Sequence, residues 1–266
     1  MRQSNGYIIA FAAGLTVVLG GLLALAATSL KKDQDVQIEL DKKKQILGAV
    51  LSNIPSGTEE VISFYEENIS SIVIDVNGNE IDTLKAENIN IRKEYKKKDI
   101  SDKRLPIYKF MSRVHKGQVE AYILPVYGNG LWDEIWGYVA LGSDFNTLKG
   151  VVFDHKAETP GLGARITDKS IQNRFKGKKI YDKSGGLASV SFLKGEGNSI
   201  SPDEYSKVDG LSGATMTTKG VNAMLENYFK LYSPYIEGQK NQESLGSVSS
   251  DEKDFFNHKP SDRFIN

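Results

Sequence analysis

The chain has no cysteine in its 266 residues. That absence removes disulfides, thiolate-ligated zinc, cysteine-held iron-sulfur clusters and catalytic thiols, so any redox chemistry must use a bound organic cofactor. Histidine is nearly as scarce, with three in all, His115, His155 and His258. No two of them share the short spacing that would put metal ligands on one helical face, and no metal site is expected. Neither charge sign is in excess, since 34 basic residues balance 34 acidic ones, so the chain lacks an electrostatic footprint for nucleic acid. No internal repeat is evident, which sets aside solenoids and propellers.

Among the features present, the first is a long apolar run. Residues Tyr7 to Leu30 carry no charge, and as a helix they would extend about 36 Å, enough for a bilayer core of about 30 Å with some tilt. Ala24-Leu25-Ala26 has the form of a signal-peptide cleavage site and Arg2 gives a minimal basic start. The run exceeds the usual h-region of about 7 to 15 residues, however, so a retained transmembrane helix is expected. Lys31, Lys32 and Lys42-Lys43-Lys44 follow the run while only Arg2 precedes it. Local charge therefore favours a cytoplasmic domain, by a rule that weakens for long translocated domains.

The remaining length suits one sizeable domain. The organisation expected is a short amino-terminal segment (1–6), the transmembrane helix (7–30), a connecting amphipathic helix and linker (31–57), a folded domain (58–236) and a polar, serine-rich, flexible tail (237–266). Val36, Leu40, Leu47 and Val50 mark the connecting helix, and Asn53-Ile54-Pro55-Ser56-Gly57 breaks it.

Within the domain, β-branched and aromatic runs predict strands at Ile72 to Val76, Ile107 to Val114, Val119 to Val126, Trp136 to Leu141 and Val151 to Phe153. Val76-Asn77-Gly78 and His115-Lys116-Gly117 read as hairpin turns. Helices are expected near Thr167 to Phe175 and from Met216 to Tyr232. In the second, Val221, Met224, Leu225, Tyr228 and Tyr232 share one face. The fold class is α+β, a largely antiparallel sheet with flanking helices.

The string Asp209-Gly210-Leu211-Ser212-Gly213-Ala214-Thr215 ends where that last helix begins. The unpaired N–H groups and positive dipole end of a helix start would stabilise a phosphate there. Gly213 and Ala214 leave the Thr215 hydroxyl reachable. Ser212, Thr215, Thr217 and Thr218 are equally suited to simple helix capping.

Asp209 to Thr217, in a chain with an amino-terminal anchor, resembles the flavinylation motif of the C subunits of the Na+-translocating NADH:quinone reductases. Two further segments match that family. They are Gly128-Asn129-Gly130-Leu131-Trp132, followed by Trp136 to Leu141, and Glu158-Thr159-Pro160-Gly161-Leu162-Gly163. Alone, Asn129-Gly130 is a hairpin turn and Pro160-Gly161 a type II turn.

The resemblance runs from the anchor to about Tyr232. It implies an FMN joined through its phosphate to Thr215 by a separate flavin transferase. Ser212, Gly213, Ala214 and Asp209 would form the recognised motif, with Trp132, Glu158, Thr159, Gly161, Leu162 and Gly163 around the flavin. The chain would be a redox subunit with no catalytic residue of its own, passing electrons among other membrane subunits in a complex driven by NADH, reducing quinone and exporting sodium. The resemblance also implies a bacterial inner-membrane location with the domain on the outer side. Two alternatives stand beside it: the flavin subunit of an Rnf-type ferredoxin:NAD+ oxidoreductase, and a membrane-tethered binding or scaffold domain that holds no flavin.

Overall fold

The computed structural model describes residues 4–112 and 117–256. Helix α1 runs unbroken over Asn5–Gly48. The apolar run and the connecting helix were expected as separate elements, but nothing between Leu30 and Val36 is a glycine or proline that would end a helix. The first part of α1 is exposed on every side with a mean hydropathy of 2.5, and it is long and apolar enough to cross a membrane. Its last turns behave differently: Leu40, Ile46 and Leu47 are buried, while Val36, expected on the same face, is exposed.

Helix α2 (Thr58–Asn68) was not foreseen in the sequence. It leads into a five-stranded antiparallel sheet of β1 (Ile69–Ile74), β2 (Leu105–Met111), β3 (Val119–Asn129), β4 (Glu134–Gly142) and β5 (Leu148–His155), in spatial order β1-β2-β3-β4-β5. All five expected strands are present with shifted ends. The turn at Val76-Asn77-Gly78 closes a short reversal in which Ile81 N–H returns to Val73 O. The turn at His115-Lys116-Gly117 and the proposed strand end at Val114 lie partly outside the described residues. A short helix, α3 (Ile91–Lys96), sits between β1 and β2.

Both faces of the sheet are covered. One packs against Leu40, Ile46 and Leu47 of α1 and Val61 and Tyr65 of α2. The other packs against α5 (Thr215–Phe256) through Val221, Met224, Leu225, Tyr228 and Tyr232, all buried as the helical periodicity predicts. Each such side chain contributes about 1.5 to 3 kcal/mol of burial free energy. Pro106 and Pro125 fall opposite one another where the β2–β3 pairing ends at Tyr108↔Ile123. Neither can donate to the ladder. The buried Tyr232 hydroxyl instead lies 3.0 Å from Pro106 O and 3.2 Å from Pro125 O, anchoring α5 in the gap.

Two expectations need correction. The helix expected over Thr167 to Phe175 is three short pieces: a 3-10 turn (Gly163–Thr167), α4 (Lys169–Gln172) and a second 3-10 turn (Asn173–Phe175). Asp168, with extended backbone angles, separates the first two, and Ile166, Ile171 and Phe175 are thereby all buried. The tail expected from Glu237 is helical instead, because α5 continues to Phe256. Pro234 lies inside the helix, and the Ser233 hydroxyl donates to Lys230 O at 3.0 Å, supplying the bond that a proline cannot make. Tyr235 and Ile236 are buried beyond it, and the Lys240 ammonium stands 3.8 Å from the Tyr181 ring centre. Residues 257–266 lie outside the described residues.

Strands β6 (Ser191–Phe192) and β7 (Lys207–Val208) pair in parallel. The Asn222 side chain of α5 bonds both to Phe192 N and to Phe192 O, at 2.8 and 3.1 Å, which fastens this segment to the start of α5.

Candidate functional site

Three segments distant in sequence meet at the amino-terminal end of α5. The first is the β3–β4 hairpin, whose ends pair as Asn129↔Glu134 and whose loop is closed by Gly130 N–H to Asp133 O at 2.8 Å. Trp132 projects from it with 68 % of its surface exposed. The second follows β5. Gly161 has φ +74°, as the second central position of a Pro-Gly type II turn requires, and Leu162 N and Ala164 N both donate to Thr159 O at 3.1 Å. The third is the Asp209 to Thr215 string, with Gly213 at φ +74°.

Glu158 ties these together. It is only 4 % exposed. One carboxylate oxygen accepts from the Trp132 backbone N–H at 2.9 Å and the other from the Thr217 hydroxyl at 2.6 Å. Its own N–H donates to His155 Nδ1 at 3.2 Å. The Trp132 indole N–H donates to Thr159 Oγ1 at 3.1 Å. Gly163 leaves the space in which Thr217 Oγ1 and Glu158 Oε2 meet, since a Cβ there would overlap both. Gly213 lies against Leu162, and a Cβ on it would come to 2.7 Å from Leu162 Cδ2.

The three threonines at the start of α5 are not equivalent. Thr217 is buried and donates to Glu158. Thr218 is buried and its hydroxyl donates to Thr215 O at 3.1 Å. Thr215, the first residue of the helix, is half-buried, and its hydroxyl makes no hydrogen bond among the described residues. Ala214 is buried, while Ser212 and Gly213 are exposed. Leu131 and Trp132 on the hairpin, Leu162 on the second segment and Met216 in the first turn of α5 are all exposed and present apolar and aromatic surface.

The Asp209 carboxylate serves the loop that leads to Thr215. It accepts from Gly197 N at 3.0 Å and from Asn198 N and Nδ2 at 2.9 Å each. Burial works against its ionisation, and those donors with Arg174 outweigh burial, holding its carboxyl below the usual range. Arg174 also bonds to Asp209 O and Gly210 O, at 3.1 and 2.7 Å. Glu196 is gripped by Arg165 through two 2.9 Å bonds and by Arg174 through a third, and it accepts from Ser212 N at 3.3 Å. Arg165 first, then Arg174 and the Ser212 amide, lower the Glu196 carboxyl to about 2.

An FMN-binding domain family profile matches residues 130–230, a stretch that begins in the loop of the first segment and holds the other two. The C subunit of the Na(+)-translocating NADH-quinone reductase of Haemophilus ducreyi is 31% identical over 84% of this chain and 89% of its own length. The chain belongs to the NqrC family, the C subunits of Na(+)-translocating NADH-quinone reductases. As a member it is a subunit of an oxidoreductase complex. The Pseudomonas aeruginosa relative is 32% identical over 84% of this chain and 91% of its own. The fold agrees: the crystal structure of the NqrC protein from Parabacteroides distasonis matches with a TM-score of 0.67 at 34% identity, covering 78% of this chain and 96% of that one. NqrC of Shewanella oneidensis matches with the same TM-score at 26% identity, over 77% and 99% of the two chains.

The residues present suit a flavin in this NqrC family member. An isoalloxazine has a flat apolar face, and an exposed tryptophan and leucine supply surface to cover it. The first-turn N–H groups of α5 are of the kind that would favour a phosphate. Glu196, Arg165 and Arg174 went unrecognised in the sequence, and Thr217 was read there only as a helix cap. Glu196 and the arginines lie outside the motifs, and only the fold brings them to Ser212. Thr217 was within the matched string, and its partner lies 59 positions away.

Proposed function

We propose that this chain is the covalently flavinylated electron-transfer subunit of a Na+-translocating NADH:quinone oxidoreductase, with FMN held by a phosphoester at Thr215. The observation that carries this reading is the contrast among three neighbouring threonines: Thr217 and Thr218 are buried and committed to hydrogen bonds, and Thr215 is free and reachable. Attachment would form the bond from Thr215 Oγ1 to phosphorus as the phosphoanhydride of FAD breaks. AMP leaves, and the hydroxyl proton passes to a base of a flavin transferase, which supplies the activation that an unassisted hydroxyl lacks.

Trp132 and Leu162 would lie against the ring, Gly161 would leave backbone close to it, Gly163 makes room for the bond between Thr217 and Glu158 beneath it, and Ser212, Gly213 and Ala214 would present the hydroxyl. Glu158, Thr159 and Asp209 serve by holding these segments. When bound, FMN supplies the electron-accepting and electron-donating chemistry; the protein supplies position.

The apolar part of α1 would anchor the chain in the bacterial inner membrane among lipid and the other membrane subunits, with the domain on the outer side. A covalent tether suits that side, where a dissociating flavin would be lost to dilution. The test is expression with a flavin transferase, followed by denaturation and inspection of the gel band under ultraviolet light and by intact mass. A fluorescent band that disappears in Thr215→Ala supports the reading, and a colourless wild-type band sinks it.

A further inference from the structure

Among the described residues, Glu158 is the single side chain bonded both to the Trp132 hairpin and to the first turn of α5. Successive residues of a helix are turned by about 100°, so Thr217 lies roughly 200° around α5 from Thr215. The carboxylate therefore holds the first turn from the side opposite the free hydroxyl. Met216 and Lys219, on the outer side with Thr215, are exposed, whereas Thr217 is only 1 % exposed. Gly163 and Gly130 both crowd against Glu158 so closely that neither has room for a Cβ.

We infer that Glu158 is a positioning residue for the modified threonine: by gripping the Thr217 hydroxyl and the Trp132 amide together, it sets the rotation of the first turn of α5 and the spacing between Thr215 and the Trp132 loop. This deepens the assignment of FMN to Thr215 and rests on it. The physical basis is that a hydrogen bond to a buried acceptor is a firm local restraint, because losing one partner leaves the other buried and unsatisfied. An α5 free to roll or fray at its first turn would present the Thr215 hydroxyl to the transferase in many orientations, and would leave an attached ring without a fixed distance to Trp132.

The experiment uses the full chain in detergent, with and without co-expressed flavin transferase, as wild type, Thr217→Val, Thr217→Ser and Glu158→Ala. Valine keeps the shape of threonine and removes the hydroxyl, while serine keeps the hydroxyl. Without transferase, amide hydrogen exchange at Trp132, whose N–H is held by Glu158, and at Thr218, whose N–H closes the first turn on Ala214 O, is expected to quicken about tenfold in Glu158→Ala, as loss of about 1.4 kcal/mol of local restraint gives. With transferase, Thr217→Val is expected to take up flavin about tenfold more slowly than wild type and to show a changed visible circular dichroism of the bound flavin, and Thr217→Ser is expected to restore both.

The visible signal reports the ring's surroundings, which a general loss of stability in a still-folded chain would not move. Far-ultraviolet circular dichroism confirms that each variant is folded. Wild-type uptake and wild-type visible dichroism in Thr217→Val would overturn the proposal, as would unchanged exchange in Glu158→Ala. A colourless wild type overturns the Thr215 assignment instead, and the exchange measurement, which needs no flavin, then decides the grip of Glu158 by itself.

Discussion

Gly163 and Thr217 are packed so closely that no side chain fits between them: a Cβ on Gly163 would overlap Thr217 Oγ1 and stand 2.5 Å from Glu158 Oε2. The second of the family-like segments thus touches the third through a glycine, and the bond from Thr217 to Glu158 depends on it.

Gly163→Ala should accordingly destabilise the domain by about 1 to 3 kcal/mol, the usual cost of forcing a methyl into a packed site. Thermal unfolding of the full chain in detergent would show a midpoint lower by several degrees, and flavin uptake should fall with it. Gly161→Ala, where a Cβ meets nothing within 4 Å, should cost only the strain of its positive φ and should leave uptake near wild type.

Acid should loosen the loop that leads to Thr215. The Glu196 carboxyl is held at about 2, below its ordinary 4.5, by Arg165, Arg174 and the Ser212 amide. A group whose folded pKa is depressed contributes stability that is present above the unfolded value and lost as pH falls through the folded one. That contribution should disappear between about pH 4.5 and 2. Thermal midpoints measured from pH 6 to pH 2 should fall more steeply for wild type than for Glu196→Gln; parallel curves would show that the two arginines do not act through this carboxylate.

Removing the Trp132 ring should separate tethering from positioning. In Trp132→Ala the covalent flavin is expected to remain on Thr215, as seen by mass, while its fluorescence yield and visible dichroism change because the exposed indole no longer lies beside it. Loss of the covalent attachment itself would place Trp132 in presentation of the hydroxyl rather than beside the ring.

The end of α1 belongs to the domain. A chain beginning at Lys31 should fold and stay in solution without detergent, because it retains Leu40, Ile46 and Leu47 on the sheet. A chain beginning at Ser52 removes the buried Leu40, Ile46, Leu47 and Ala49, and truncating each large aliphatic one costs about 2 to 5 kcal/mol. It should melt far lower in urea or aggregate, and equal stability of the two would show that the helix end is dispensable.

Much of the architecture was legible along the chain because its signals are local. The strands appeared as β-branched and aromatic runs, and the buried face of α5 appeared as the spacing of Val221, Met224, Leu225, Tyr228 and Tyr232. Where a tertiary contact outweighs local pattern, the reading failed. Residues 167–175 break into three pieces to bury Ile166, Ile171 and Phe175 together. Helix α5 runs on past Glu237 despite Pro234, with the Ser233 hydroxyl replacing the missing bond and Tyr235 and Ile236 buried beyond it. For Asp209 the fold adds what its motif does not show, bonds to the 197–198 amides and a place beside Arg174.

By itself the sequence determined the redox constraint, since without cysteine and with three scattered histidines any redox chemistry falls to a bound organic cofactor, and it determined the family, since the three motifs are contiguous strings that survive without a fold. Which threonine is free, and what holds it, only the tertiary structure decided. Thr215, Thr217 and Thr218 are chemically alike and almost adjacent, and they differ only in what surrounds them. A buried carboxylate from a distant segment takes the hydroxyl of Thr217, a backbone carbonyl takes that of Thr218, and the helix turns Thr215 away from both.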